Sequence, residues 1–251
     1  MLNPQCLNCD ETATGNFCSN CGQTTHIHRI TLKHFLFHDV IHGVWHLDRG
    51  ILFTLKQALL RPGKAALDYI GGKRISYYNV FYLILLLTAF GIFIESVYAT
   101  ALTKYTSYIE PYESSELIDF LGKYVKFFLL LAIPVNALNS FVLFNRKKLL
   151  YSEHLIIFGM YFLGIIVITL LQNVIIFTEF IETLAFIADW SNVLISILLL
   201  SYIINGLYSA FGKDYTRTRF AFRTFIYIIL MFLELKLFVF ILSYCLRYFR
   251  H

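Results

Sequence analysis

The sequence predicts an all-α, polytopic membrane protein of about five transmembrane helices, and three observations predict it. Apolar residues make up 58% of the chain, charged residues only 15%, and the mean hydropathy is +0.64, all beyond what a soluble domain of 251 residues carries. Five runs reach the roughly 20 apolar residues needed to cross a hydrocarbon core about 30 Å thick. The loops between these runs alternate in charge, as topogenic loops do.

The runs cover 79–98, 124–144, 155–177, 190–211 and 224–246. Arg61, Lys64, Lys73 and Arg74 precede the first, Arg146, Lys147 and Lys148 follow the second, and Lys213, Arg217, Arg219 and Arg223 follow the fourth. Lys and Arg are retained on the cytoplasmic side, so these three segments are expected there. Segment 99–123 has Lys104 and Lys123 beside Glu110, Glu113, Glu116 and Asp119, and 178–189 has Glu179, Glu182 and Asp189 without a cation, so both are expected outside. Five spans would place Arg247 and Arg250 outside as well, against the rule. The N-terminus has neither a basic region nor an apolar region of the kind a cleavable signal peptide carries, so insertion is expected to start from the first span.

Four of the five cysteines lie in the first 21 residues as Cys6-x-x-Cys9 and Cys18-x-x-Cys21. Each two-residue gap allows a tight turn to aim both sulfurs at one tetrahedral ion, and two such pairs supply the four thiolates of a structural zinc site. Gly22 suits the turn after the second pair. Two disulfides or free thiols are the competing reading, and a reducing cytoplasm disfavours the disulfides. Residues 1–25 are therefore read as a zinc ribbon with zinc as cofactor. The ribbon contains Asp10 and Glu11 but no Lys or Arg, and phosphate binding needs cations, so no nucleic-acid partner is expected. It reads instead as a protein-contact or folding module. Cys245, far away in the last apolar run, reads as a small buried hydrophobe.

Residues 26–78 form the second segment, expected to be cytoplasmic and interfacial. His34, His38, His42 and His46 recur every four residues and, with Asp39, share roughly 140° of a helical wheel. Leu36, Val40, Val44 and Leu47 fall on the opposite face, so 31–48 is expected to be an amphipathic helix opened by Thr31. The imidazoles fit three roles: mildly polar interface residues, a second metal site with Asp39, or a pH sensor. The segment's eight Lys or Arg against three Asp favour proximity to anionic lipid. Beyond it, Asp48-Arg49-Gly50 and Arg61-Pro62-Gly63 bound a short apolar helix, and Gly71-Gly72 break the next one before the first span.

Taken in order, CLNC, FCSNCGQ, LDRG, RPG and YIGGKRISYY resemble an uncharacterised family of bacterial integral-membrane proteins. That family has an N-terminal zinc ribbon followed by DRG, LLRPG and YIxGKR motifs and a Tyr-rich lead into the first span. The resemblance covers about the first 85 residues and implies architecture and a bacterial inner-membrane location with a cytoplasmic N-terminus; the family carries no assigned activity. In topology alone, five spans after a cytoplasmic amphipathic region, the chain is also similar to a family of five-span vesicle-trafficking proteins.

Residues 79–251 form the transmembrane domain. Within it, Glu234 and Lys236 interrupt the fifth run near mid-depth, where charge is expensive and usually functional. They lie about 200° apart on a helix and so cannot pair there. Asn136, beside Pro134 in the second run, is the expected donor to Glu234. The competing reading is a hairpin broken at Glu234-Leu235-Lys236, with both charges at its solvated tip. Three functions fit: a membrane adaptor or scaffold using the ribbon, a small-solute or ion transporter using Glu234, Lys236 and Asn136, or a lipid-modifying enzyme using the His34–His46 stripe. Nucleophile-elbow, phosphate-loop, dinucleotide and zincin signatures are absent from the sequence, which favours the adaptor.

Overall fold

The computed structural model describes residues 5–13, 15–25, 50–105 and 131–248. The segment 31–48, with His34, His38, Asp39, His42 and His46, lies outside the described residues, as do residues 124–130 of the second run and the side chain of Cys245. Among the described residues the chain is helical apart from the ribbon, whose only β pairing is two isolated bridges, Gln5 to Thr12 and Phe17 to Thr24.

Among the described residues, seven α-helices follow the ribbon. They are α1 (Gly50–Leu60), α2 (Pro62–Ile70), α3 (Val80–Tyr105), α4 (described over Leu131–Leu143), α5 (Tyr151–Ile175), α6 (Ala185–Phe211) and α7 (Arg217–Tyr248). Local chemistry sets the boundaries. Pro62 opens α2, where its fixed φ and missing N–H do no harm, and Gly72 at φ 112° turns the chain after it. Asn79 caps α3, its side-chain oxygen accepting from the N–H groups of Phe81 and Tyr82, each at 3.1 Å. Glu153 reaches back to the N–H of Leu150 at 2.7 Å to open α5, as the acid of a capping box does.

Among the described residues, four helical stretches are long and apolar enough to cross a membrane: Val80–Lys104, Tyr151–Phe180, Glu182–Asp214 and Arg217–Ile241. These correspond to the first, third, fourth and fifth runs of the sequence. The described part of α4 is too short to be judged. The hairpin alternative for the last run is overturned, because α7 continues unbroken for 32 residues through Glu234 and Lys236.

The four stretches are not equivalent. In α5, 72% of the most apolar window is buried inside the protein, against 11–22% in the other three. It is the central helix, with α1, α2, α3 and α6 packed around it. Close approach depends on glycine. The Tyr202 hydroxyl and the Ala58 carbonyl occupy the space a side chain at Gly164 would need, and they bond to each other at 2.6 Å. Backbone and side-chain atoms of Gly206, Ser209 and Ala210 on α6 crowd Gly63 on α2 in the same way. At the end of the bundle where α4, α6 and α7 meet their loops, Phe144 stacks on Phe211 with ring centroids 4.8 Å apart, and Tyr215 and Phe220 close the cluster.

Candidate metal centre and its seat on the membrane domain

The ribbon is one knuckle built twice, twelve residues apart. The N–H of Cys6 donates to the carbonyl of Glu11 at 2.8 Å and that of Asp10 to Cys6 at 2.9 Å; twelve residues on, Cys18 donates to Gln23 at 2.8 Å and Gly22 to Cys18 at 2.9 Å. The residue after the second cysteine of each pair is left-handed, Asp10 at φ 62° and Gly22 at φ 75°. Gly22 has the conformation the sequence suggested. Asp10 has it too, and the twelve-residue self-similarity was the signal that could have shown it.

This folding gathers all four sulfurs. Those of Cys6 and Cys21 lie 3.6 Å apart, as do those of Cys9 and Cys18, and all four fall within 4.8 Å of one another. A disulfide needs about 2.05 Å, so the cysteines are free thiols. Four sulfurs each about 2.3 Å from a tetrahedral zinc would be roughly 3.8 Å apart, so the cluster could hold such an ion. Electrostatics fits the same use. The N–H groups of Cys9 and then Asn8 pull the Cys6 thiol down to about 7. Cys9 also receives an N–H, from Glu11, yet desolvation and its neighbours Cys21, Cys18 and Cys6 push it up to about 11. One thiolate forms readily and the next resists, which a bound cation would relieve.

The ribbon sits on the segment joining α2 to α3. The buried side chain of Gln23 accepts the N–H of Ile75 at 2.9 Å, and Asn8 accepts the hydroxyl proton of Ser76 at 2.7 Å. The next two residues turn inward. Tyr77 packs edge-on against Phe53 at 5.1 Å, and the N–H of Tyr78 donates to Thr54 at 2.8 Å. The Thr54 hydroxyl in turn donates to the Gly50 carbonyl at 2.7 Å, so it joins α1 to the loop. A short route of contacts therefore runs from the thiols through Gln23 and Ile75 to the core of the helical domain. The sequence reading gave Gln23, Asn8 and Thr54 no part.

A second polar group lies between α4 and α7, and here one expectation is corrected. The Glu234 carboxylate receives both its hydrogen bonds from the side-chain amide of Asn139, at 2.9 and 3.0 Å. Asn136 instead donates to the Ala132 carbonyl at 2.8 Å and accepts the Tyr227 hydroxyl. The donor is three residues further along than expected. Positions three apart share a helix face, so a depth estimate from sequence cannot choose between them. Lys236 is exposed, and no ion pair joins it to Glu234 among the described residues. A third polar pair, Ser140 with His154, is buried where α4 meets α5 beneath Phe141 and Phe211; nothing in the sequence spacing announced it.

Residues 48–90 match the family model described as "Protein of unknown function (DUF3667)". The match spans α1, α2, the loop that seats the ribbon and the first turns of α3, and it is a similarity over that segment alone. No curated protein and no solved structure matches the chain.

Proposed function

We propose that the protein is an integral-membrane adaptor, with a zinc-loaded ribbon on the cytoplasmic side of a bacterial inner membrane offering a contact surface to a protein partner. The observation that carries this reading is the seat of the ribbon. Gln23 and Asn8 reach residues 52 and 68 positions away in sequence, so the head is fastened to the helical domain and not merely tethered to it. Its outer side exposes Leu7 at 49% and Phe17 at 67%, apolar side chains that gain by being covered. The basic loops supply the orientation, and the cytoplasm would keep the thiols reduced for zinc.

The pairing of Glu234 with Asn139 favours a second reading, a transporter in which that carboxylate couples to a proton or cation. A photo-crosslinking amino acid placed at Phe17, in native membranes, separates the two. The adaptor reading expects one discrete cross-linked protein that disappears in the Cys6→Ser/Cys18→Ser variant. Absence of any adduct from Phe17 or Leu7, together with ion flux in proteoliposomes that Glu234→Gln abolishes, would replace the adaptor with the transporter.

A further inference from the structure

The end of the bundle that carries Arg146 and Tyr215 also carries a groove, and its walls and charge select one occupant. The turn 145–148 joins α4 to α5, and Leu149 and Leu150 continue it into α5. A groove of about 540 Å³ opens there. Phe141, Val142, Leu149 and Leu150 form its apolar walls, and Asn145 and Lys148 its polar end. Phe141, Val142 and Leu150 are all substantially exposed, so the apolar walls open outward.

The surroundings are strongly basic. Arg146, Lys147 and Lys148 lie on this loop and Lys213, Arg217, Arg219 and Arg223 on or next to its neighbour, against Asp214 alone among the acids of 144–150 and 212–223. The two loops are held together. Arg146 donates to the Asp214 carbonyl at 2.7 Å, Lys147 meets the Asp214 carboxylate at 3.4 Å, and the guanidinium groups of Arg146 and Arg223 lie 4.8 and 5.0 Å from the centre of the Tyr215 ring. These contacts turn Arg146, Lys147 and Arg223 toward Asp214, Tyr215 and the carbonyl of Leu143. Lys148 lines the groove.

From this geometry we infer that the groove binds one anionic phospholipid, with its phosphate at Lys148 and Asn145 and an acyl chain along Phe141, Val142, Leu149 and Leu150. An ammonium and a side-chain amide suit phosphate oxygens, whereas a soluble anion would gain nothing from the apolar walls. The basic rim rejects a cationic headgroup and favours an acidic one. Lys148 has a left-handed backbone, φ 49° and ψ 39°, which Asn adopts readily, so Lys148→Asn removes the charge without straining the turn.

Native mass spectrometry of the full chain in detergent, titrated with phosphatidylglycerol or phosphatidylcholine, tests this. One phosphatidylglycerol should bind in preference to phosphatidylcholine, weakening about fivefold in Lys148→Asn and holding in Lys148→Arg. Lys213→Asn removes an equal charge from the rim outside the groove and should change affinity less than about twofold. Val142→Trp, which fills the groove, should exclude the lipid. Equal binding of the two lipids, unchanged affinity in Lys148→Asn, or an equal loss in Lys213→Asn would overturn the proposal, the last by showing diffuse attraction to the rim. Displacement of the lipid by millimolar inorganic phosphate would overturn it too, because the site would then recognise the anion alone.

Discussion

Gly22 stands at φ 75° with space around it, since a methyl group placed there would find its nearest neighbour in Ile75 Cδ1, at 3.8 Å. The conformation therefore reserves the position for glycine, while the packing does not. Gly22→Ala should weaken zinc binding about fivefold, equivalent to about 1 kcal/mol of left-handed strain, measured by competition with a chelator; unchanged affinity would contradict the reading. Asp10→Gly, at the matching position of the first knuckle, should bind at least as tightly as the natural chain. At Glu234 the test is which asparagine matters. Asn139→Leu strips the carboxylate of its donor and should lower stability by about 1–3 kcal/mol, whereas Glu234→Gln keeps a hydrogen-bonding partner for Asn139 and should stay within about 1 kcal/mol. Thermal unfolding in detergent reads both. Equal effects would mean that the pair carries no stability. The cysteines were legible from their spacing because two CxxC pairs leave few other chemistries. Asn139 was not, because adjacent positions on one helix face look alike until the partner helix is placed.

Helix α2 shows how an element's role escapes its composition. It is nine residues long and only moderately apolar, yet it buries Pro62, Gly63, Ala65 and Ala66 against the bundle. Gly63→Val should cost about 1–3 kcal/mol by forcing α2 from the backbone of α6, while Lys64→Ala, on the exposed side, should stay within about 0.5 kcal/mol. Comparable melting temperatures for the two variants would show that α2 does not depend on this approach. Its boundaries were readable from Arg61-Pro62-Gly63 and Gly71-Gly72, which fix backbone conformation locally. The long helices were equally readable, since apolar runs of that length have few other uses. What their sequences concealed was neighbourhood: α5 is apolar on every side, a pattern that serves burial in protein as well as contact with lipid, and only packing shows that it is central. For α7 the pattern was equivocal, because two charges could mark a break or a functional point. The continuous helix excludes the break, and Asn139 gives one of the two charges its partner.

For the whole molecule, the central feature is a ribbon that could hold a metal, seated on the segment matched by the family model. The seat makes a local prediction about exchange. Removing the metal, or replacing Gln23 with Ala while the metal remains, should speed hydrogen exchange at the Ile75 amide, which donates to Gln23, and change the Tyr78 amide far less, since its acceptor Thr54 belongs to α1. Equal acceleration at both would mean that the loop melts as one piece and the ribbon does not seat it. The seat was only partly legible: the resemblance placed FCSNCGQ before YIGGKRISYY, but order along a chain does not show that the Gln of one contacts the Ile of the other. The most direct measurement is the zinc content of the purified full chain by elemental analysis. One zinc per chain is expected in the natural protein and none in Cys6→Ser/Cys18→Ser, which removes one ligand from each knuckle; a full equivalent kept by that variant, or none in the natural protein, would contradict the zinc ribbon.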